Sequence, residues 1–358
     1  MTQSVQNVYT AVMTALPPTT LSAKATPADH GMRLDIFLCK QFETLSRSRA
    51  KTLVLDVGCL AGQDLIKDPK RKVQSGVIYS LELPAPVAAE PQPENIPLDI
   101  LFEDADLLLV NKPTGMAVHP APGSPTGTLV NALLHHCEGQ LPGIGGVERP
   151  GIVHRIDKNT TGVMVVAKNE TAHRGLSALF AQHDIERTYR ALTRGAPRPL
   201  SGTIDAPLAR SLVDRKKIAV VNEGEGRTGR RAVTHYKAIT TYGQISKVEV
   251  RPAAALIECR LETGRTHQIR VHMSHIGTPL IGDPVYGRHR GIKAIGRGEV
   301  YDEAMRAARG LKRQALHAAS LGFVHPVTGE TVFAEAPLPE DMAAVATALD
   351  KLGGPLAA

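Results

Sequence analysis

Residues 84–97 carry five prolines (Pro84, Pro86, Pro91, Pro93 and Pro97), two glutamates and no aromatic side chain. Proline fixes φ and has no main-chain N–H, so this stretch can neither continue a helix nor sit inside a sheet. It reads as a stiff, extended linker over 86–97, dividing the chain into two bodies that must each bury a core. The full 358 residues are enough for two domains. The expected order is a mobile arm over 1–28, a small domain over 30–85, the linker, a large domain over 98–340 and a tail over 341–358. The tail is Ala/Leu-rich and helix-forming.

In the small domain Leu34, Phe37, Leu38 and Phe42 fall on one helical face. Ser46 is a good N-cap for a second helix whose apolar face is Ala50, Leu53, Val54 and Val57, and Gly58 is a stop signal. Val77–Leu83 alternates as a strand. Residues 30–85 hold nine Lys/Arg against six Asp/Glu, clustered at Arg47, Arg49 and Lys51 and at Lys67, Lys70, Arg71 and Lys72. Such clusters are either a solubilising surface or an RNA contact.

The large domain alternates short apolar runs with Gly/Pro/Asp/Asn turns. The runs are Leu107–Val110, Val163–Ala167, Tyr189–Leu192, Val248–Val250 and Ile269–Val271. A helical window spans Thr171–His183, with Ala172, Leu176, Leu179 and Phe180 on one face. The fold class this implies is α+β, with a mixed, mostly antiparallel sheet.

Net charge is +7, which points to an anionic partner, with nucleic acid first. Aromatics are only 4% and Trp is absent, which argues against a binder that grips single strands mainly by stacking. No apolar run is long enough to span a membrane, so no membrane partner is expected. The first basic residue, Lys24, comes too late for a secretory signal. The four scattered cysteines look like reduced thiols, so the expected compartment is the cytoplasm. No phosphate-loop or nucleophile-elbow motif occurs and no G-x-G-x-x-G follows an expected strand, so no nucleotide cofactor is expected.

Four stretches could carry chemistry. In Gly151-Ile-Val-His154-Arg155-Ile-Asp157-Lys158-Asn-Thr-Thr-Gly162, an apolar strand enters and a polar turn reverses the chain. A second apolar strand then leaves. Asp157 stands at the tip of that turn, with His154, Arg155 and Lys158 around it. It is either an ordinary turn residue or a carboxylate kept ionised for use as a nucleophile or base. In Arg265-Thr266-His267-Gln268-Ile269-Arg270-Val271-His272-Met273, the period of two predicts a strand over Thr266–Met273. Thr266, Gln268, Arg270 and His272 would share its polar face. Arg270 there could clamp a carboxylate or phosphate. A metal site using His267, His272 and His275 is the competing reading; it is disfavoured because His267 and His272 would lie on opposite faces. Tyr189, among Arg187 and Arg190, is a packing residue or a ring stacked on a base. Asn111-Lys112-Pro113 through His119 reads as a strand running into a turn, where Lys112 and His119 could line a pocket.

Together these segments resemble the RluA/RluD family of pseudouridine synthases. His154-Arg-Ile-Asp157-Lys-Asn-Thr-Thr-Gly162 is close to the family's H-R-L-D-x-x-T-S-G. In order around it stand Asn111-Lys-Pro113, Tyr189, Gly264–His272, Ile281-Gly-Asp-Pro-Val-Tyr-Gly287 and Arg313-Gln-Ala-Leu-His317. The 30–85 module resembles the small RNA-binding domain of ribosomal protein S-four, through Arg33-Leu-Asp35 and Ser46-Arg-Ser-Arg49. Cys59-Leu-Ala61-Gly62 departs from that domain's usual V-x-V-N-G turn. The resemblance implies isomerisation of uridine to pseudouridine in RNA, with no cofactor and no metal. Asp157 would be the catalytic aspartate, Tyr189 the active-site tyrosine and Arg270 the aspartate's basic partner. Arg33, Arg47, Arg49, Lys51, Lys72, His154, Arg155, Lys158, Arg265 and Gln268 would contact RNA. The linked RNA-binding module, the Arg313–His317 segment and the His325-Pro-Val-Thr-Gly329 tail resemble the branch that acts on large-subunit (23S) ribosomal RNA. The expected species is a monomer, working on that RNA alone or within an assembling subunit. The alternatives are the same chemistry on transfer RNA or another ribosomal site, and a non-catalytic RNA-binding or ribosome assembly factor.

Overall fold

The computed structural model describes residues 19–42, 45–83, 91–121, 123–139, 141, 150–214, 217–222, 224, 226–246, 251–287 and 291–353. The chain divides into two compact units, Met1–Ala89 and Glu90–Ala358.

The first unit contains β1 (Thr19–Lys24), α1 (Leu34–Gln41), α2 (Arg47–Asp56), β2 (Cys59–Ala61), β3 (Asp64–Ile66) and β4 (Ile78–Leu83). Its antiparallel sheet has the order β1-β4-β2-β3. The Ser46 hydroxyl accepts from the Arg49 N–H at 3.2 Å and caps α2. Leu34, Phe37 and Leu38 of α1 meet Ala50, Leu53 and Val54 of α2 over Tyr79 and Leu81, all buried. The edge of Phe37 packs on Tyr79 at 5.4 Å between centroids. Residues 19–29 correct the expected arm: they form β1, in register from Thr19–Leu83 to Lys24–Ile78, and then a 3₁₀ turn at Pro27–Asp29. Leu21 and Ala23 both turn onto the core, a period of two too short to stand out in a Thr/Ala/Pro-rich background. The remainder of that arm, residues 1–18, lies outside the described residues.

The second unit comprises β5 (Ile100–Glu103), β6 (Leu107–Lys112), α3 (Leu129–His136), β7 (Thr161–Ala167), α4 (Glu170–Gln182), β8 (Glu186–Arg194) and β9 (Ser201–Asp205). It continues with β10 (Leu208–Arg210), β11 (Ile218–Val220), β12 (Val233–Tyr242), β13 (Ala254–Leu261), α5 (Gln268–His275), α6 (Glu299–Gly310), β14 (Leu316–Val324), β15 (Thr331–Glu335) and α7 (Glu340–Asp350). The main sheet runs β5-β6-β7-β14-β8-β13-β12-β9, with β15 also paired to β14, and β10 and β11 form a separate ladder. Among the described residues every strand pairing of this unit is antiparallel except β7 with β14, so the sheet is mixed and mostly antiparallel, as expected for this α+β class. All seven residues of β7 are buried, which explains its unbroken apolar run. Among the described residues, no helix is long and apolar enough to cross a membrane.

Two boundaries differ from expectation. Residues 91–97 of the linker lie along the second unit: Asn131 Nδ2 donates to Gln92 O at 2.8 Å, and Ile96 packs on the main core. Residues 84–90 are outside the described set, as is the Val248–Val250 run. The tail is no appendage, because α7 buries Met342, Val345 and Leu349 in one core with Ala304 and Met305 of α6.

The parallel pair positions the site. It joins His317 to Thr161 and Ala318 to Gly162, setting the start of β14 beside the turn that precedes β7. Gly162 has φ +114°, and a Cβ there would stand 2.1 Å from Ala318 O. Gly162→Ala should therefore lose about 2–4 kcal/mol in a chemical denaturation series, the range of a severe packing and backbone conflict. Wild-type stability would show that β7 and β14 do not approach this closely.

Candidate active site

The turn before β7 presents Asp157 as expected, although the incoming segment is not a full strand. It makes a single bridge, Ile152 with Val166. The second stretch departs further. Residues 268–275 form α5, preceded by His267 in the left-handed region at φ +57°. Ile269, Val271 and Met273 alternate like a strand, but Ile269, Met273 and Ile276 also fit i, i+4, i+7. Gly277 at φ +84° ends the helix, and the Thr278 N–H closes back on Met273 O at 2.9 Å.

The helix delivers Arg270 to Asp157. Arg270 Nη1 donates to Asp157 Oδ2 at 2.7 Å. Its Nε and Nη2 donate to the two oxygens of Asp283, at 2.7 and 3.0 Å. Arg270 and Asp283 are buried, whereas the Asp157 side chain keeps 23% of its exposure and faces a cavity of about 460 Å³. Burial pushes the Asp283 carboxyl up, but the hydrogen bonds and charge of Arg270 outweigh this and hold it below the usual carboxylate range. Burial opposes the Arg270 charge too, and the two aspartates raise its pKa in net. Asp283 Oδ1 also accepts from the N–H groups of Val285 and Tyr286, at 2.8 and 3.0 Å. These bonds fix the guanidinium on one side so that the other side meets Asp157.

His267 Nε2 lies 3.8 Å from Asp157 Oδ2. The Ile218 N–H donates to the Tyr286 hydroxyl at 3.0 Å, so that hydroxyl has its own proton free for His267 Nδ1, 2.9 Å away. The remaining ring proton then sits on Nε2, toward Asp157. Burial lowers the His267 pKa, with Asp157 opposing.

Tyr189 enters the same cavity from β8. Burial raises its phenol pKa, Asp157 adds to that and Arg187 opposes it. No hydrogen bond to its hydroxyl is formed among the described residues.

Residues 158–161 of the turn are pinned one by one, the first two through backbone carbonyls and the last two through threonine hydroxyls. Lys112, fully buried, donates to Pro113 O, Met116 O and Lys158 O at 2.8, 2.9 and 3.1 Å. Burial pulls its pKa down to about 7, against the charge of Asp157. Arg313 Nη1 donates to Asn159 O at 3.2 Å, while its Nε and Nη2 hold Asp341 of α7, both at 2.6 Å. Gln314 Nε2 donates to Thr160 Oγ1 at 3.1 Å. His317 Nε2 donates to Ala336 O at 3.0 Å, which leaves Nδ1 to accept from the Thr161 hydroxyl at 2.9 Å. The sequence showed Lys112 as a pocket candidate and 313–317 as a resemblance segment; the clamp itself is visible only once β14 lies beside β7.

The proposed RNA contacts divide. Arg155 and Arg265 are exposed at the cavity, and Lys158 is exposed with Nζ 2.9 Å from Ser124 Oγ. In the first unit Arg49, Lys51 and Lys72 are exposed. Arg33 and Arg47 instead reach the buried Asp35, at 2.9 and 3.2 Å. Two expectations need correction. Gln268 is buried with its amide committed: Oε1 accepts from Thr263 Oγ1 and Arg265 N, and Nε2 donates to Val233 O and Thr234 Oγ1. His154 lines the cavity half-buried, but as a neutral ring and not as a cation. Its Nε2 accepts from the Val165 N–H at 3.1 Å, its ring stacks on Phe180 at 4.5 Å, and burial drives its pKa down to about 3.

The histidines of 267–275 form no metal-binding group among the described residues. His272 Nε2 donates to Ala206 O at 3.0 Å and Nδ1 bonds Thr234 Oγ1. The His325-Pro-Val-Thr-Gly329 segment is a turn in which His325 Nδ1 accepts from Val327 N and Thr328 N.

This geometry, a half-exposed carboxylate on a buried guanidinium in a basic cavity, defines a site for a polyanionic substrate. A family profile described as RNA pseudouridylate synthase matches residues 106–275. The chain is 52% identical over 314 residues to ribosomal large subunit pseudouridine synthase D of Zymomonas mobilis subsp. mobilis, covering 87% of this chain and 92% of that protein. It is 44% identical to the uncharacterized RNA pseudouridine synthase YlyB of Bacillus subtilis strain 168, covering 90% of this chain and 95% of the relative. It is 42% identical to ribosomal large subunit pseudouridine synthase D of Escherichia coli O157:H7, covering 90% and 92%. The chain belongs to the RNA pseudouridine synthase family and is an isomerase acting on uridine in RNA.

Asp283 was quoted in the sequence only as part of a resemblance segment, yet it completes the ion chain. Asp283→Asn should destabilise the protein by about 3–5 kcal/mol at neutral pH, the cost of breaking a buried pair. Because the folded pKa of Asp283 is depressed, its contribution is present above the unfolded value near 4 and is lost as pH falls through the lower folded value. Denaturation curves of both proteins at pH 7 and at about pH 3 should show the gap narrowing in acid. A gap that widened in acid would contradict the pairing.

Proposed function

We propose that the chain converts uridines of large-subunit ribosomal RNA to pseudouridine, with Asp157 as the catalytic carboxylate. The observation that carries this reading is the 2.7 Å contact between Asp157 and the buried Arg270, at the wall of a cavity shared with Tyr189.

The reaction breaks the C1′–N1 bond, turns the uracil and forms C1′–C5. The C5 proton is lost and N1 gains one, so oxidation state and water count are unchanged. The chemistry asks for an anionic group beside the sugar, a rigid frame for it and a surface for the detached ring. Asp157 supplies the first, and Arg270 with Asp283 supplies the frame. Tyr189, beside the carboxylate, supplies a ring face and a hydroxyl for stacking or proton transfer. A uridine in folded RNA must leave its stack to reach Asp157, and Arg155, Lys158 and Arg265 provide the basic rim that receives the strand.

The ribosomal target rests on the names of the relatives, two of which are large subunit synthases at 52% and 42% identity. The first unit, with Arg49, Lys51 and Lys72 exposed, serves as an S-four-type RNA-binding domain that adds affinity for the substrate RNA. The enzyme works in the cytoplasm as a monomer, on that RNA alone or within an assembling subunit.

Wild-type protein and Asp157→Asn, incubated with unmodified large-subunit RNA and mapped by adduct-induced reverse-transcription stops, test this reading. Wild type should give discrete stops. Asp157→Asn should give none while retaining RNA affinity, and Tyr189→Phe should lower the rate at least about 10²-fold, the usual weight of a positioned proton-transfer group. Full activity in Asp157→Asn would remove the aspartate from the mechanism. Stops confined to transfer RNA would move the target.

A further inference from the structure

Three arginines of the second unit are buried among the described residues: Arg187, Arg270 and Arg313. Arg270 and Arg313 each hold aspartates. Arg187 does not. It is 9% exposed, and no carboxylate lies within ion-pair distance of it among the described residues. Its Nη2 donates to Leu261 O and Glu262 O at 3.2 and 3.3 Å, and its guanidinium lies over the Phe180 ring at 5.5 Å. Its Nε is buried with no partner. Gly264 leaves room at Nη1, where a Cβ would stand only 3.2 Å away. Burial works against this charge, as its lowered pKa reflects. A buried cation without an anion is costly, and structures that keep one commonly have a ligand to complete it.

Its position indicates the ligand. Arg187 precedes Tyr189 by two residues on β8, so both side chains leave the same face of the strand into the same cavity. Asp157 and Arg270 line that cavity along with Phe180, His183 and Arg187. Its volume of about 460 Å³ is within the range of pockets that enclose small ligands. The one permanent anion that a nucleotide of RNA carries is its phosphodiester. We propose that Arg187 is an anion subsite that receives a phosphodiester flanking the target uridine, completing its charge only when RNA is bound.

This inference rests on the proposed function for the identity of the RNA, and the test separates the two. Arg187→Gln retains a donor for the two loop carbonyls and removes the charge; Arg187→Lys restores charge. Filter binding of an unmodified large-subunit RNA transcript would be measured from 50 to 300 mM KCl, beside pseudouridine formation by the same proteins. Loss of one charge-assisted contact should weaken binding by Arg187→Gln about 10–100-fold at low salt. The slope of log K against log salt should fall in magnitude by about 0.7–0.9, and Arg187→Lys should recover the slope. Neutral methylphosphonate linkages beside the uridine mapped in wild type should weaken wild type equally and leave Arg187→Gln unaffected. That arm can be read on wild type alone if Arg187→Gln fails to fold. Unchanged slope with a reduced rate of chemistry would place Arg187 on the uracil and overturn the subsite. Unchanged slope with a lowered melting temperature would make it a loop pin and overturn it equally. A wild type that binds this transcript but forms no pseudouridine in it would count against the ribosomal target, while the salt slopes would still decide the role of Arg187.

Discussion

Everything at this site depends on one guanidinium held between two carboxylates. Taking Arg270 out of water is expensive, and a single partner rarely repays it. Asp283 binds it with two oxygens and is itself held by two backbone N–H groups. Arg270 is thereby oriented before any substrate arrives, with Nη1 left for Asp157. The Asp157 carboxylate need not be rigid in its own right, because its partner is. This is preorganisation: the ordering is done during folding, so the reaction does not have to supply it.

The backbone that carries Asp157 receives the same treatment from the opposite side. Residues 158, 159, 160 and 161 are gripped by Lys112, Arg313, Gln314 and His317. Three of those four grips come from residues 313–317, which lead into β14 and begin it, and the parallel β7–β14 pair is what brings them there. Arg313 extends the connection to Asp341, so the last helix of the chain is tied to the turn that carries the carboxylate. Among the described residues the sheet is otherwise antiparallel, and its one parallel junction lies at the site.

Much of this was legible in the sequence, and the parts that were not share a cause. Local patterns located α1, the Ser46 cap, β7 and the α4 window, because each is set by spacing within a dozen residues. Asp157, Tyr189 and Arg270 stood out through motif order. The Thr266–Met273 segment misled because Ile269, Val271 and Met273 satisfy a period of two as well as a helix; the outcome turned on His267 adopting the left-handed region and on the stop at Gly277. Gln268 looked available because polarity in sequence does not reveal prior commitment, and four partners from two segments occupy it. Asp283, Lys112 and Arg187 owe their significance to burial beside distant segments, which no local period encodes. The tail looked expendable for the same reason, since its apolar face matters only against α6.

In the proposed mechanism Arg270 acts by placing Asp157 and not by binding RNA. Arg270→Lys tests it directly, because lysine keeps the charge but cannot grip Asp283 with two donors and Asp157 with a third. Single-turnover conversion and RNA affinity would be measured side by side on the same transcript. The chemical step should slow at least about 100-fold, the scale of a misplacement near 1 Å, with affinity unchanged within about threefold. A variant that turned over at the wild-type rate, or that lost affinity while keeping its rate, would contradict it.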